Sequence, residues 1–326
     1  MALKVLFKSF IDYVKRHSVL VRFGVVIVIF TILLHNIQPQ NIIEAFKHAR
    51  PSYLFLSLSF LIPNILIQVL KWDYILRTLS PKPSFKSAFV SLLGGFFLGA
   101  ASPGRTGEFM RGFLIPEHSP VKTASLTIVD KGFNMITITV AGLFSLGLLL
   151  PWPLSILPIM GELIVIIALL NIHRLEPFLA RLLHKFTNSE QVDNALTAFD
   201  ALSRKNVLVM TGFSIAFYLV FATQFYLMIL CFVDLPLSVA VKTLPVVYLI
   251  QLALPISIGE FGIKEMAAVK LLVPFGIALE SVFSASLTNN VIVFLLPSLT
   301  GGIILAFYRS RPDLKVRSST DHTVQR

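Results

Sequence analysis

The stretch KSAFVSLLGGFFLGAASPGRTGEFMR, residues 86–111, decides the fold. Its first part, 86–102, is apolar enough for a lipid environment, yet it breaks into proline, glycine and charge before a bilayer-spanning helix of about 20 residues is complete. A second apolar stretch, 239–255, ends in the same manner. Proline lacks an N–H and glycine permits close backbone approach, so both motifs predict helices broken inside the membrane. Unwound backbone at that depth needs protein or water around it.

The rest of the chain reads as membrane spans. Of 326 residues, 55% are hydrophobic and only 14% charged, against about 25% charge in a soluble domain. Mean hydropathy is +0.80. Apolar runs of roughly 18 to 27 residues cover 19–37, 53–72, 124–150, 154–172, 207–233 and 281–307. The expected fold is all-α and integral to the membrane.

Loop charges set the expected topology. Five Lys/Arg fall in 1–22, four in 71–87, five in 173–206 and five from 309 onward, while 38–52 has two and 151–153 and 234–238 none. Placing the basic segments in the cytoplasm works if 86–122 starts and ends inside and 239–280 starts and ends outside. Six full spans would then accompany two re-entrant or broken elements. The alternative is eight simple spans with 173–206 outside; the charge count favours the first. The polytopic domain is expected over 19–308, between an amphipathic segment at 1–18 and a polar tail at 309–326, both cytoplasmic. Residues 174–205 read as cytoplasmic interfacial helices.

The net charge of +11 belongs to these loops and to anionic lipid surfaces; no aromatic-interleaved basic groove points to nucleic acid. The one cysteine, Cys231, excludes an internal disulfide framework. The histidines lack metal-ligand spacing, and no cofactor is expected. The N-terminal apolar run has no small-residue cleavage site and reads as an uncleaved anchor.

Pro103-Gly-Arg-Thr-Gly-Glu-Phe109 and Pro255-Ile-Ser-Ile-Gly-Glu-Phe261 share the pattern P-x-x-x-G-E-F. On opposite sides of the membrane they would form an inverted repeat, an arrangement that places substrate sites at the midplane of transporters. A half-helix starting after each break offers N–H groups and a positive dipole end to an anion. Gly104, Arg105, Gly107, Glu108 and Arg111 are candidates from the first motif. Ser257, Gly259, Glu260, Lys264 and Glu265 are candidates from the second, with Asp130 and Lys131 from the next span. Each has a plainer reading. Glu108 and Glu260 would cap helices or pair with Arg111 and Lys264, and Asp130-Lys131 would be an interfacial pair. Gly95-x-x-x-Gly99 has the spacing of close helix packing, and Pro63 and Pro297 mark kinks.

The segments S-P-G-R-T-G-E-F-M-R at 102–111, V-D-K-G-F at 129–133 and L-P-I-S-I-G-E-F-G-I-K-E at 254–265 resemble the lysylphosphatidylglycerol synthase transmembrane-region family, also called flippase-like integral membrane proteins. The resemblance covers roughly 15–310. It implies that Pro103, Gly104, Arg105, Gly107, Glu108 and Arg111 form one broken element, and Pro255, Ser257, Gly259, Gly262 and Glu265 the other. Asp130-Lys131 stands where the family often has Glu-Arg, and Gly259-Glu260 where it often has Gly-Gly. No counterpart of the soluble aminoacyl-transferase domain is recognised, so lipid transport is implied and lysyl transfer is not.

The functional expectation is therefore a transporter of lipids with anionic head groups in a prokaryotic plasma membrane, working by alternating access. No Walker motif is present for direct use of ATP. Transport would be downhill, ion-coupled through Glu108, Glu260 or Asp130, or partner-dependent. A membrane-embedded transferase or hydrolase, and an accessory subunit of an envelope-lipid complex, are the alternatives. No nucleophile–base pair supports the enzyme. A homo-oligomer or an envelope-biosynthesis partner fits any of the three.

Overall fold

The computed structural model describes residues 39–79, 82–100, 102–115, 118, 120–171, 203–254 and 261–309, together with Thr31. The expectations for the N-terminal segment, span 19–37, the interfacial helices and the tail lie outside these residues. So do Ser257, Gly259 and Glu260.

All described regular structure is helical. In chain order the elements are α1 (Pro39–Lys47), α2 (Pro51–Ser59), α3 (Leu61–Leu76), α4 (Phe85–Ala100), a 3-10 helix (Pro103–Leu114), α5 (Pro120–Leu149) and α6 (Ile156–Leu170). They continue with α7 (Arg204–Phe232), α8 (Leu237–Ala253), α9 (Ile263–Leu272), a short 3-10 turn (Val273–Phe275), α10 (Leu279–Asn290), a π-helical turn (Val291–Leu295) and α11 (Leu296–Arg309). Four helical stretches are long and apolar enough to cross a membrane: Pro51–Leu76, Lys122–Leu149, Arg204–Phe232 and Leu279–Phe307. The apolar run at 154–172 yields a 15-residue helix, because a turn over Trp152–Ser155 holds back its start.

The distribution of polarity is the reverse of a soluble protein. Ile62, Leu157, Leu208 and Phe307 are each at least 70% exposed, whereas Lys71, Glu108, Arg111, Lys264 and Glu265 are at most 2% exposed. Hydrocarbon is the solvent that suits the outer surface, and polar groups retreat to where protein can pair them. The chain is an all-α integral membrane protein.

Prolines explain the interruptions. Pro63 has no N–H for the Ser59 carbonyl, and the α-helical pattern is interrupted at Phe60 between α2 and α3. Pro297 likewise cannot bond Val293, and Leu296 N–H reaches five residues back to Val291 O. Both prolines lie beside interruptions of the regular α-helical pattern.

Residues 85–114 form a helical hairpin. Gly94 lies beside Leu114, Gly95 beside Arg111 and Gly99 beside Glu108, so the 3-10 helix returns antiparallel along α4. A Cβ on Gly107 would sit 2.0 Å from Leu98 O. The Gly95-x-x-x-Gly99 face thus receives the charged motif itself. The expected α-helical half-helix is instead a 3-10 helix, wound tightly enough to pass this close. Against the opposite side of α4 runs α11, where a Cβ on Gly301 would meet Leu93 O at 1.9 Å.

The two halves of the chain interlock. The short helix α4 packs on α11, the last span of the second half, and the short helix α8 packs on α5, the last span of the first. At one end of the bundle, Arg50 N–H donates to Cys231 O at 2.8 Å and its guanidinium meets Asp234 at 2.7 Å. Asn41 also reaches Glu280 there at 3.1 Å. At the other end, Tyr74 OH donates to Asn206 at 2.8 Å.

Gly301→Ala should be costly, since its methyl meets backbone. A loss of about 1–3 kcal/mol is expected in detergent unfolding. Gly212→Ala, with nothing within 4 Å of the added Cβ, should be neutral or mildly stabilising. Equal effects of the two would contradict this packing. The Arg50 hydrogen bond holds the Asp234 carboxyl below its ordinary range. Its contribution is therefore present above about pH 4 and is lost as pH falls through the lowered value. The stability difference between wild type and Asp234→Asn should close over that acid window in a pH series of unfolding midpoints.

Candidate functional site

The first motif builds a charged cluster on three elements. Ser102 starts it: its hydroxyl accepts from Gly107 N–H at 2.6 Å and fixes the turn. Arg105 follows with φ at 59°, a left-handed conformation uncommon outside glycine and a sign of local strain. Glu108 then faces α4 at Gly99, and Arg111 lies one 3-10 turn further on.

Arg111 is the most heavily engaged. It gives Nη2–H to Asp130 Oδ2 at 2.8 Å and Nε–H to Thr127 at 2.9 Å. Its guanidinium lies 3.6 Å from the ring centre of Trp72, whose indole N–H is held by Ser91 at 2.9 Å. Lys71, on α3, sits 3.2 Å from the other Asp130 oxygen. It also donates to the Asp130 carbonyl at 2.7 Å and to Asn134 at 2.5 Å. Ser214 of α7 closes the chain with a 3.0 Å bond to Asn134. Glu108 pairs with Arg105 on its own helix and with Lys131 on α5.

The cluster therefore contains four cations, Lys71, Arg105, Arg111 and Lys131, against two carboxylates, Glu108 and Asp130. Among the described residues the cluster has two more cations than carboxylates. The side chains of Lys71 and Arg111 are only 1% and 3% exposed, those of Arg105 and Lys131 26% and 23%. The inner pair is buried and the outer pair is partly exposed.

Among the described residues the second motif brings together one cation and one carboxylate, Lys264 and Glu265, on Asn290. Phe261 and Gly262 lead into α9, and Gly262 has φ 95°, which suits glycine alone. Glu265 reaches back to Gly262 N–H at 2.6 Å and accepts from Asn290 at 2.7 Å, so its own carboxylate caps the α9 N-terminus that an anion was expected to use. Lys264 donates to Asn290 at 3.0 Å, with its ammonium 4.2 Å from the centre of the Phe225 ring.

The two motifs meet on one ring. Arg105 lies 5.0 Å from the centre of Phe294, and Phe261 makes an edge contact to the same ring at 6.2 Å. Phe294 belongs to the π-helical turn, midway along the Leu279–Phe307 span.

Residues 19–301 match the family of lysylphosphatidylglycerol synthase TM regions. The chain belongs to this family. It is also similar to a UPF0104 membrane protein of Methanothermobacter thermautotrophicus, with 24% identity over 92% of this chain and 96% of the relative.

The plainer reading of Glu108, as a helix cap or a partner of Arg111, gives way to ion pairs that run from Glu108 to Arg105 and Lys131 and from Arg111 to Asp130. Asp130-Lys131 is not an interfacial pair: Asp130 is 6% exposed, and its partners lie on other elements. Lys71 was counted as a loop charge and is a buried residue of α3. Trp72, Thr127 and Asn134 were missed. The signal available was the triad Lys71-Trp72-Asp73, polar and aromatic at the end of an otherwise apolar span.

Asp130→Asn leaves Lys71 and Arg111 buried without their carboxylate. A loss of about 3–5 kcal/mol is expected. Adding Lys71→Met should recover part of it, so a double-mutant cycle in detergent unfolding should show strong coupling. Additive losses would mean the contact carries no coupling.

Proposed function

We propose that this protein moves lipids with anionic head groups between membrane leaflets. The observation that carries the reading is the meeting of Arg105 and Phe261, one residue from each motif, on the Phe294 ring midway along a span, beside a cluster whose described residues include four cations and two carboxylates. Converging breaks near the bilayer centre are the usual setting of transporter sites. A surplus of buried cations favours an anion, and the outer pair, Arg105 and Lys131, is the part a head group reaches.

In this reading α4 and its 3-10 partner are a re-entrant hairpin, entered and left on one face of the membrane. The α8–α9 unit is the equivalent from the opposite face. Lys/Arg placement puts both termini in the cytoplasm of a plasma membrane. Phosphate binds Arg105 and Lys131, and Arg111 and Lys71 supply a fixed field behind them. Gly104 and Gly107 let the backbone turn there. Lys264, Glu265, Ser257, Gly259 and Glu260 belong to the opposing gate. The interlock of α4 with α11 and of α8 with α5 gives two bodies that rock about the midplane.

The reading is tested in vesicles containing purified protein and fluorescent phosphatidylglycerol or phosphatidylcholine. Wild type should speed leaflet exchange of the anionic lipid, and Arg105→Ala should slow it at least about tenfold while remaining folded, a loss typical of a charge-assisted contact. Absence of exchange with and without a proton gradient would overturn stand-alone transport. Appearance of a chemically new lipid would favour an enzyme.

A further inference from the structure

The Glu108 carboxylate is buried, yet it is bound by the two most accessible cations of the cluster. On the proposed function above, those cations are the phosphate contacts. A carboxylate and a phosphate are both oxyanions, and a guanidinium N–H with an ammonium N–H makes one donor set for either. Glu108 already occupies that set.

The deeper cations are not available for exchange. Arg111 is held by Asp130, Thr127 and the Trp72 face, and Lys71 by Asp130 and Asn134. Arg105 and Lys131 are the partly exposed cations of the cluster, and Glu108 is bound to both. The groove at Gly99 holds the Glu108 stem, since a Cβ there would lie 2.5 Å from its Cγ. The stem has no second position along α4, so the carboxylate leaves its cations only by rotamer change or by movement of the 3-10 helix. That helix has the poorer hydrogen-bond geometry of its class and carries the strained Arg105.

We infer that Glu108 is a resident counter-ion that the lipid phosphate must displace from Arg105 and Lys131. Its presence balances part of the charge of Arg105 and Lys131 when no lipid is bound. Its competition keeps head-group affinity low enough for release on the far side. Displacement also removes one tie between the 3-10 helix and α5, the Glu108–Lys131 pair, while the Arg111 bonds to Asp130 and Thr127 remain.

This sets an unusual direction for a mutation at an acidic site residue: removal should tighten binding. The chain has two tryptophans, so a Trp152→Phe background leaves Trp72, stacked on Arg111, as the fluorescent reporter. Full-length protein in zwitterionic nanodiscs is titrated with dioctanoyl phosphatidylglycerol and, separately, inorganic phosphate. Glu108→Gln should bind the lipid about tenfold tighter than the background protein, the factor set by 1.4 kcal/mol, and Arg105→Ala should bind it more weakly. Tightening of inorganic phosphate as well would identify phosphate alone as the displacing group. Tightening of the lipid alone would tie displacement to the amphiphile. Unchanged or weaker lipid binding by Glu108→Gln, with Arg105→Ala also weakened, would overturn the counter-ion role and leave the site reading intact. No binding by any protein would remove both. If Glu108→Gln does not fold, Glu108→Asp decides: its shorter acid cannot span both cations and should tighten binding by a smaller factor, and weakening there sinks the idea.

Discussion

A carboxylate buried in a membrane protein must be paired, and Asp130 is paired twice. Lys71 from α3 and Arg111 from the 3-10 helix each take one of its oxygens. Three elements far apart in sequence are thereby held at one point, in surroundings where an uncompensated charge costs several kcal/mol. Trp72 covers the guanidinium from the fourth side. The path of the hairpin, the seating of α5 and the position of the outer cations all follow from this knot.

The second half repeats the plan with weaker charge. Arg111 stacks on Trp72 of α3 and bonds Asp130 of α5; Lys264 stacks on Phe225 of α7 and bonds Asn290 of α10. In each half a motif cation lies between an aromatic ring of the first long span and a polar group of the last. Glutamate 265 then supplies within α9 the negative charge that Asp130 supplies from α5. Among the described residues the halves are thus alike in construction, and the first gathers more charged side chains than the second.

Glycine makes the close approach possible. The same helix, α4, meets a charged 3-10 helix on Gly95 and Gly99 and a long span on Gly94, facing Gly301 and Gly302. In lipid there is no hydrophobic drive to press helices together, so contact depends on fit. The small residues let backbone reach backbone, and they bring Glu108 and Arg111 into the protein interior.

Much was legible in the sequence because the bilayer constrains it so strongly. A helix must carry about 20 apolar residues to cross, so composition alone located the long spans to within a few residues. The breaks showed in Pro103 and the glycines after it, and the odd charges of the motif marked the cluster. The family resemblance came from the same letters. What the sequence could not supply was who pairs with whom. Lys71 lies 59 residues from Asp130, and nothing local separates a buried lysine at a span end from a loop lysine. Glu108 had several cations within reach of its motif, and only the antiparallel return along α4 turned it toward Arg105 and Lys131. Likewise Phe294, apolar and unremarkable in an apolar span, became the meeting point of both motifs because Pro297 loosened the helix there and the two halves interlocked around it. Local chemistry determined which segments enter the membrane; long-range packing, which must satisfy every buried charge, decided the partners.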